Sequence, residues 1–309
     1  MFGFGSSQNE LIKLLPEVRG KYLKNVLLSR HTWFRVGGPA EVMYIPEDED
    51  DLCFFMKTKP YNLPVCILGG GSNVLIRDGG IPGVVIKLTS KYFKHVKIGA
   101  DNITCFAGVR NVDLQKTFIE NKIGGLEFIC SIPGVIGGSV KTNAGCFGRS
   151  VKDVIQSATI VDGTGEKYTV GVDDLMLSYR SSFFPDDWII TSITFKTEVK
   201  DAVAIAQTID EQKVYRKQNQ PYNERTAGST FKNPDGLKAW ELIKKAGCCG
   251  LQINGAKVSE KHCNFLINTG HARAADLEEL GETIVDKVKK ATSITLEWEV
   301  KRMGIPSKK

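Results

Sequence analysis

Two glycine-rich segments hold the residue types that suit an anionic, phosphate-bearing ligand. The first is Gly69-Gly70-Gly71-Ser72-Asn73, set between the apolar runs PVCIL and VLI. Residues without a Cβ let successive backbone N–H groups converge on one anion, and Ser72 and Asn73 can add side-chain donors. The second is PGVIGGS, from Pro133 and Gly134 to Gly138 and Ser139, followed by Asn143-Ala144-Gly145, and it leads into a predicted helix start. Neither segment is a GxxxxGK[ST] or GxGxxG loop, so the nucleotide-binding patterns with those spacings are excluded. A tight turn between strands and glycine-lined strand packing would draw on the same residues.

Three further groups can act on a substrate. Arg180 stands among hydroxyls and aromatics in YRSSFF, where a guanidinium can grip a carboxylate through two hydrogen bonds. A surface ion pair would use it equally well. Ser229 follows Gly228 in AGSTFKNP, which is not a GxSxG elbow, and no histidine stands where a hydrolase triad needs one. A nucleophilic role is thereby set aside, while a proton-donating serine and a capping serine both stay open. In LEWEV, strand-like alternation puts Glu297 and Glu299 on one face, where a carboxylate can orient a donor or simply meet solvent, and Leu296, Trp298 and Val300 on the other. The four histidines are scattered outside any metal-binding spacing, so no metal site is expected.

The elements that must position these groups follow from composition and periodicity. The 309 residues are 42% hydrophobic and 25% charged, a profile of about two folded domains that excludes disorder. A net charge of +6 without a long basic run speaks against nucleic acid. No apolar stretch approaches a membrane span and no leader pattern is visible, so neither export nor membrane insertion is expected. Eight cysteines without CxxC spacing, the closest being Cys248-Cys249, read as reduced thiols of a cytosolic chain. Fifteen of the 31 glycines fall between Tyr61 and Ser150, so whatever they serve lies in that part.

Residues 10–28 suggest an amphipathic helix broken at Pro16 or Gly20. The runs EVMYI, PVCILG, SNVLI and GVVIKL read as strands around a helix at 47–58, an α/β or α+β pattern. ITCFAG, SATIVDG, EKYTVG and WIITSITFKT continue the strands, with a helix near 112–120. A helix at 203–218 marks a border near residue 200. Beyond it come a helix through Leu237, Trp240 and Ile243, and another whose apolar face is Leu277, Leu280, Ile284, Val288 and Ala291.

Taken in order, HTWFRVGGPA, LGGGSNVLI, GLEFICSIPGVIGGSVKTNAG, YRSSFF, AGSTFKNP, the segment Lys261-His262-Cys263-Asn264-Phe265, and LEWEVKRMG resemble the UDP-N-acetylenolpyruvoylglucosamine reductase family from about Thr32 to Gly304. The resemblance implies an α+β chain. Residues 1–199 would form an FAD-binding unit of the vanillyl-alcohol-oxidase (PCMH) type, with subdomains at roughly 1–88 and 89–199. Residues 200–309 would form a smaller α+β substrate-binding domain.

The same resemblance implies non-covalent FAD held by Arg35, Gly69, Gly70, Gly71, Ser72, Asn73, Pro133, Gly134, Gly138, Ser139, Asn143, Ala144 and Gly145. NADPH would be the hydride donor and a UDP-sugar the substrate. Ser229 would donate the proton, with Arg180 and Glu299 at the enolpyruvyl group and Tyr179, Lys232, Asn233 and His262 in contact with substrate. The setting would be the bacterial cytoplasm, with no obligate protein partner.

Four positions depart from the family pattern. Cys249 stands where many relatives carry lysine, so that a cationic contact to the nucleotide is either missing or supplied by Lys257; Cys146-Phe147 replaces a frequent Ala-Tyr; and Ser131 replaces a frequent glycine. The competing readings are a flavin oxidase of the same superfamily and a nucleotide-sugar-binding protein without turnover.

Overall fold

The computed structural model describes residues 10–307. Contacts divide the chain into two compact units. The first takes residues up to Val26, Glu41–Gly70 and Gly83–Gln212; the second takes Leu27–Ala40, Gly71–Pro82 and the chain from Lys213 onward. This partition departs from a contiguous border near residue 200, because two early segments pack with the C-terminal part.

In the first unit a four-stranded sheet runs in the order Lys21–Leu27, Pro39–Ile45, Ile81–Ile86, Val65–Ile67. A five-stranded antiparallel sheet is ordered Lys167–Gly171, Ile155–Val161, Ile189–Lys196, Asn102–Phe106, Val96–Ile98. Helices and mostly antiparallel strands together give the α+β chain that the resemblance implies. The helix Glu49–Thr58 starts at Asp48, whose carboxylate accepts from Asp51 N at 3.0 Å, and buries Leu52, Phe55 and Met56 beside Tyr44.

Residues 10–28 differ from the expected broken helix. Only Glu10–Leu14 is helical, and Lys21–Leu27 is an edge strand beside Pro39–Ile45. Pro16 stops the helix, and pairing with a neighbouring strand then outweighs the weak helical spacing. Asp51 anchors the connection, accepting from the backbone N–H groups of Arg19, Gly20 and Glu47 and from the Tyr44 hydroxyl.

The second unit has its own core of Phe34, Val36, Leu75, Phe231, Ile243, Val258, Leu266 and the buried face of the helix Ala274–Thr292. Leu277, Leu280, Ile284 and Val288 form that face; Ala291, expected with them, is exposed at the last turn. The helix begins on a cap from far away in sequence. Asp78 accepts from Ala274 N and Ala275 N, both at 2.9 Å, while Arg77 grips Glu278 through two hydrogen bonds of 3.0 and 2.8 Å. A three-stranded sheet, Gln252–Ile253, Ala256–Val258 and Leu266–Asn268, packs on this helix. The strand Val74–Ile76 pairs in parallel with Lys301–Met303.

LEWEV is not a regular strand. Trp298 makes a single bridge to Phe231, and the regular strand starts at Lys301. The alternation nevertheless holds for Leu296 and Val300, which are buried. Trp298 lies against Gly281 of the long helix, where a Cβ would overlap the indole ring. Its Nε1 donates to Glu282 at 3.1 Å, and the Arg302 guanidinium lies 4.6 Å from the ring centroid.

Two outcomes follow. Gly281→Ala must push Trp298 aside and should cost about 1–3 kcal/mol, visible as a lower Tm; an unchanged Tm would mean that the indole contact is not tight. Burial alone would raise the Asp51 pKa, but its backbone and tyrosine hydrogen bonds outweigh this and hold it below the ordinary value. The resulting stability is present above about pH 4 and lost as pH falls through the lowered value. The Tm difference between the unaltered protein and Asp51→Asn should therefore shrink with acidification; a constant difference would show that the charge is not what matters.

Candidate active site

In the first unit the two glycine-rich segments meet. A Cβ on Gly70 would lie 2.8 Å from the Gly134 Cα, and one on Gly69 would lie 3.1 Å from the Val135 side chain. Glycine is thus needed for the approach itself. The Gly70 N–H donates to no acceptor among the described residues. Over Gly138 the nearest atom to an added Cβ is 4.0 Å away, so that face is open.

The remaining cofactor candidates of this unit take different parts. Ser139 is buried, its hydroxyl accepting from Asn111 Nδ2 at 2.9 Å, which ties the short helix Ile136–Lys141 to the Asn111 turn. Asn143, at φ 39°, donates to the Ser178 carbonyl at 2.7 Å and accepts from Lys152 N at 2.9 Å. Ala144 N returns to Ser139 O. Gly145 offers its carbonyl to Arg180 Nη2 at 2.7 Å. Pro133 leads into Gly134, whose φ is +119°.

Arg180 itself sits at φ 53° in a turn closed by reciprocal hydrogen bonds between Ser178 and Ser181, and its guanidinium is 5.2 Å from the exposed Tyr179 ring. The Asn143–Ser178 and Gly145–Arg180 hydrogen bonds join the arginine turn to the second glycine-rich segment.

In the second unit the chain at Ser229 forms an irregular ladder with the chain at Glu299. Glu299 N donates to Thr230 O and Lys232 N donates to Glu297 O, both at 2.8 Å. Ser229 bridges Phe265 on its other side, and Thr230 N donates to Asn264 O at 2.7 Å. The buried Asn264 side chain completes the clamp, accepting from Phe231 N at 3.0 Å and donating to Phe231 O at 2.8 Å. Gly228, at φ +81°, has nothing within 4 Å of an added Cβ, so its turn leaves open space beside the serine.

Asn73, which belongs to the second unit, pairs with this ladder: its O accepts from Lys301 N at 3.1 Å and its Nδ2 donates to Glu299 O at 3.4 Å. Gly71 lies against the His31 carbonyl, with Trp33 N donating to its own carbonyl; Ser72 follows, half-buried. Arg35, exposed at φ 59°, donates to the Arg30 carbonyl at 3.0 Å.

The expected substrate residues also lie in this unit, apart from Tyr179. Lys232 pairs with Glu297 at 2.5 Å and Lys257 with Glu260 at 2.6 Å. Asn233 accepts from Ala239 N at 2.9 Å, ahead of the helix Ala239–Lys245. His262 packs 4.7 Å from the Phe265 ring, and burial holds its pKa below the ordinary value, so the ring is neutral at pH 7.

Three features went unseen in the sequence. Asn264 was quoted only as part of a motif, Asp78 gave no sign of capping a helix two hundred residues away, and Lys87 had no pattern to mark it. The reading of all cysteines as reduced is corrected at one pair: Cys249 and Cys263 form a disulfide with Cα atoms 5.4 Å apart. Sequence spacing could not disclose it, because the helix–sheet packing of the second unit brings the two residues together. Among the described residues no group of His, Cys, Asp and Glu could hold a metal, and no helix is long and apolar enough to cross a membrane.

Comparison with known proteins gives the class and then the family. Residues 40–171 match the FAD binding domain family, which makes the chain a flavoprotein. Residues 220–303 match the UDP-N-acetylenolpyruvoylglucosamine reductase C-terminal domain. Reductases of that name from Bradyrhizobium sp. (strain ORS 278) and Rhodospirillum rubrum are each 45% identical, the first over 96% of both chains and the second over 96% of this chain and 94% of its own. The crystal structure of the enzyme from Thermus caldophilus superposes with a TM-score of 0.80 at 30% identity, covering 93% of this chain and all of the other. The chain belongs to the UDP-N-acetylenolpyruvoylglucosamine reductase family, a family of flavin oxidoreductases of peptidoglycan precursor synthesis.

The glycine contacts fit FAD, since the free Gly70 amide and the open face at Gly138 suit a bulky dinucleotide and its diphosphate. The disulfide yields a prediction about composition. Denatured, unreduced protein should titrate six thiols, those of Cys53, Cys66, Cys105, Cys130, Cys146 and Cys248, and two more after reduction. Finding all eight before reduction would mean that the Cys249–Cys263 bond does not form in solution.

Proposed function

We propose that the chain reduces the enolpyruvyl group of UDP-N-acetylenolpyruvoylglucosamine to give UDP-N-acetylmuramate in the bacterial cytoplasm. FAD, when bound, carries hydride from NADPH to the terminal vinyl carbon of the substrate. The observation that carries this reading is the ladder between Thr230 and Glu299, which sets the backbone of a serine beside that of a carboxylate seventy residues later.

As hydride adds, negative charge grows on the carbon next to the substrate carboxylate. The Arg180 guanidinium stabilises that charge, its Nη2 already anchored on Gly145 O. The same carbon then takes a proton from the Ser229 hydroxyl. A serine is a weak acid in water, so its effectiveness depends on position: the Asn264 clamp and the ladder hold its strand, and Glu299 organises the hydroxyl. Tyr179, Lys232, Asn233, Lys257 and His262 bind the substrate. Lys232 and Lys257 are ion-paired with Glu297 and Glu260, and the neutral His262 ring offers a hydrogen bond without bringing a charge.

The test follows flavin absorbance in the absence of oxygen. NADPH should bleach the oxidised flavin band, and the UDP-enolpyruvyl sugar should restore it. In Ser229→Ala the bleaching should survive while the return slows by about 10²–10⁴-fold. An unaltered return would remove Ser229 as the proton donor. A protein that neither carries nor takes up FAD would overturn the whole assignment.

A further inference from the structure

A lysine with no counter-ion grips the first glycine-rich segment. Lys87 directly follows the strand Ile81–Ile86, which runs parallel to Val65–Ile67 with Ile86 opposite Ile67. Leu68 N donates to Ile86 O at 3.0 Å, so the pairing carries on to the edge of the loop. From there the half-buried Lys87 side chain donates from Nζ to the Gly69 carbonyl at 2.8 Å. That bond uses one of three ammonium protons, and no carboxylate pairs with Lys87 among the described residues. Burial pushes its pKa down to about 8, which leaves it mostly charged at neutral pH.

A buried cation with no anion is costly, and holding one carbonyl does not require a charge. The geometry of the next peptide suggests what the charge is for. Among the described residues no peptide bond is cis, so the Gly70 N–H points away from the Gly69 carbonyl that Lys87 holds. It is this N–H that has no acceptor. We propose that Lys87 is a positioning residue for the diphosphate of the cofactor: it fixes the Gly69–Gly70 peptide with the free amide turned outward and backs that amide with a positive charge. A dianion on the amide side supplies the negative charge that the buried ammonium lacks. The inference rests on FAD lying with its diphosphate at this loop.

The experiment measures the affinity of the flavin-stripped protein for FAD and for riboflavin, which shares the ring but has no phosphate. Lys87→Met keeps the length and removes the charge. It should weaken FAD by about tenfold or more while changing riboflavin by less than about twofold. An unchanged FAD affinity, or an equal loss for both ligands, overturns the role of Lys87. Should the methionine variant not fold, Lys87→Gln is read by the same FAD-to-riboflavin ratio. Separately, an unaltered protein that binds riboflavin as tightly as FAD would show that the diphosphate does not sit at this loop.

Discussion

The arrangement of the second unit depends on one short backbone ladder, in which Thr230 and Lys232 exchange hydrogen bonds with Glu299 and Glu297. Each such bond contributes about 1 kcal/mol net, too little to hold two irregular segments in register alone. The register is held because both segments are fixed from outside. Asn264 spends its whole carboxamide on Phe231, Trp298 is lodged against Gly281 and Phe231, and Asn73 takes up the backbone at Glu299 and Lys301. A buried amide with both ends satisfied tolerates almost no slippage, since moving it would strand donors and acceptors away from water.

The first unit solves its own positioning problem by removing atoms rather than adding bonds. Gly70 and Gly134 approach so closely that any side chain would separate them, and the loop amide stays free because nothing bulky reaches it. Around this contact the Asn111 Nδ2 group, the Ser139 hydroxyl and the Asn143 side chain bond within the protein. Their work is to shape the loop. Side chains that look like ligands in a sequence can therefore be scaffolding, while the group left free for a ligand is a peptide N–H with no letter of its own.

That distinction accounts for what was legible. The helices Glu49–Thr58, Ala202–Asn219 and Ala274–Thr292 and most strands are periodic, local patterns, and they stand close to where spacing puts them. The seven motifs likewise pointed to a flavin-binding chain through the family they resemble, and the glycine concentration marked the part of the chain concerned, because the restrictions on those residues are visible one residue at a time. The edge strand Lys21–Leu27 was misread since its partner, not its composition, makes it a strand. Lys87, Asp78, Asn264 and the Cys249–Cys263 bond share another trait: each acts on a partner reached through the fold, and no window of sequence contains both halves.

The helix cap at Asp78 and the pairing of Val74–Ile76 with Lys301–Met303 bear on how the chain comes into being. On a ribosome the early strand emerges more than two hundred residues before its mate, and contacts of such long separation form late because closing the intervening loop is entropically costly. Translation must therefore pass Met303 before the second unit can close. A nascent chain stopped short of that point would expose the unpaired edge and the bare core of Phe34 and Leu75, making it a substrate for chaperones and proteases instead of a partial enzyme.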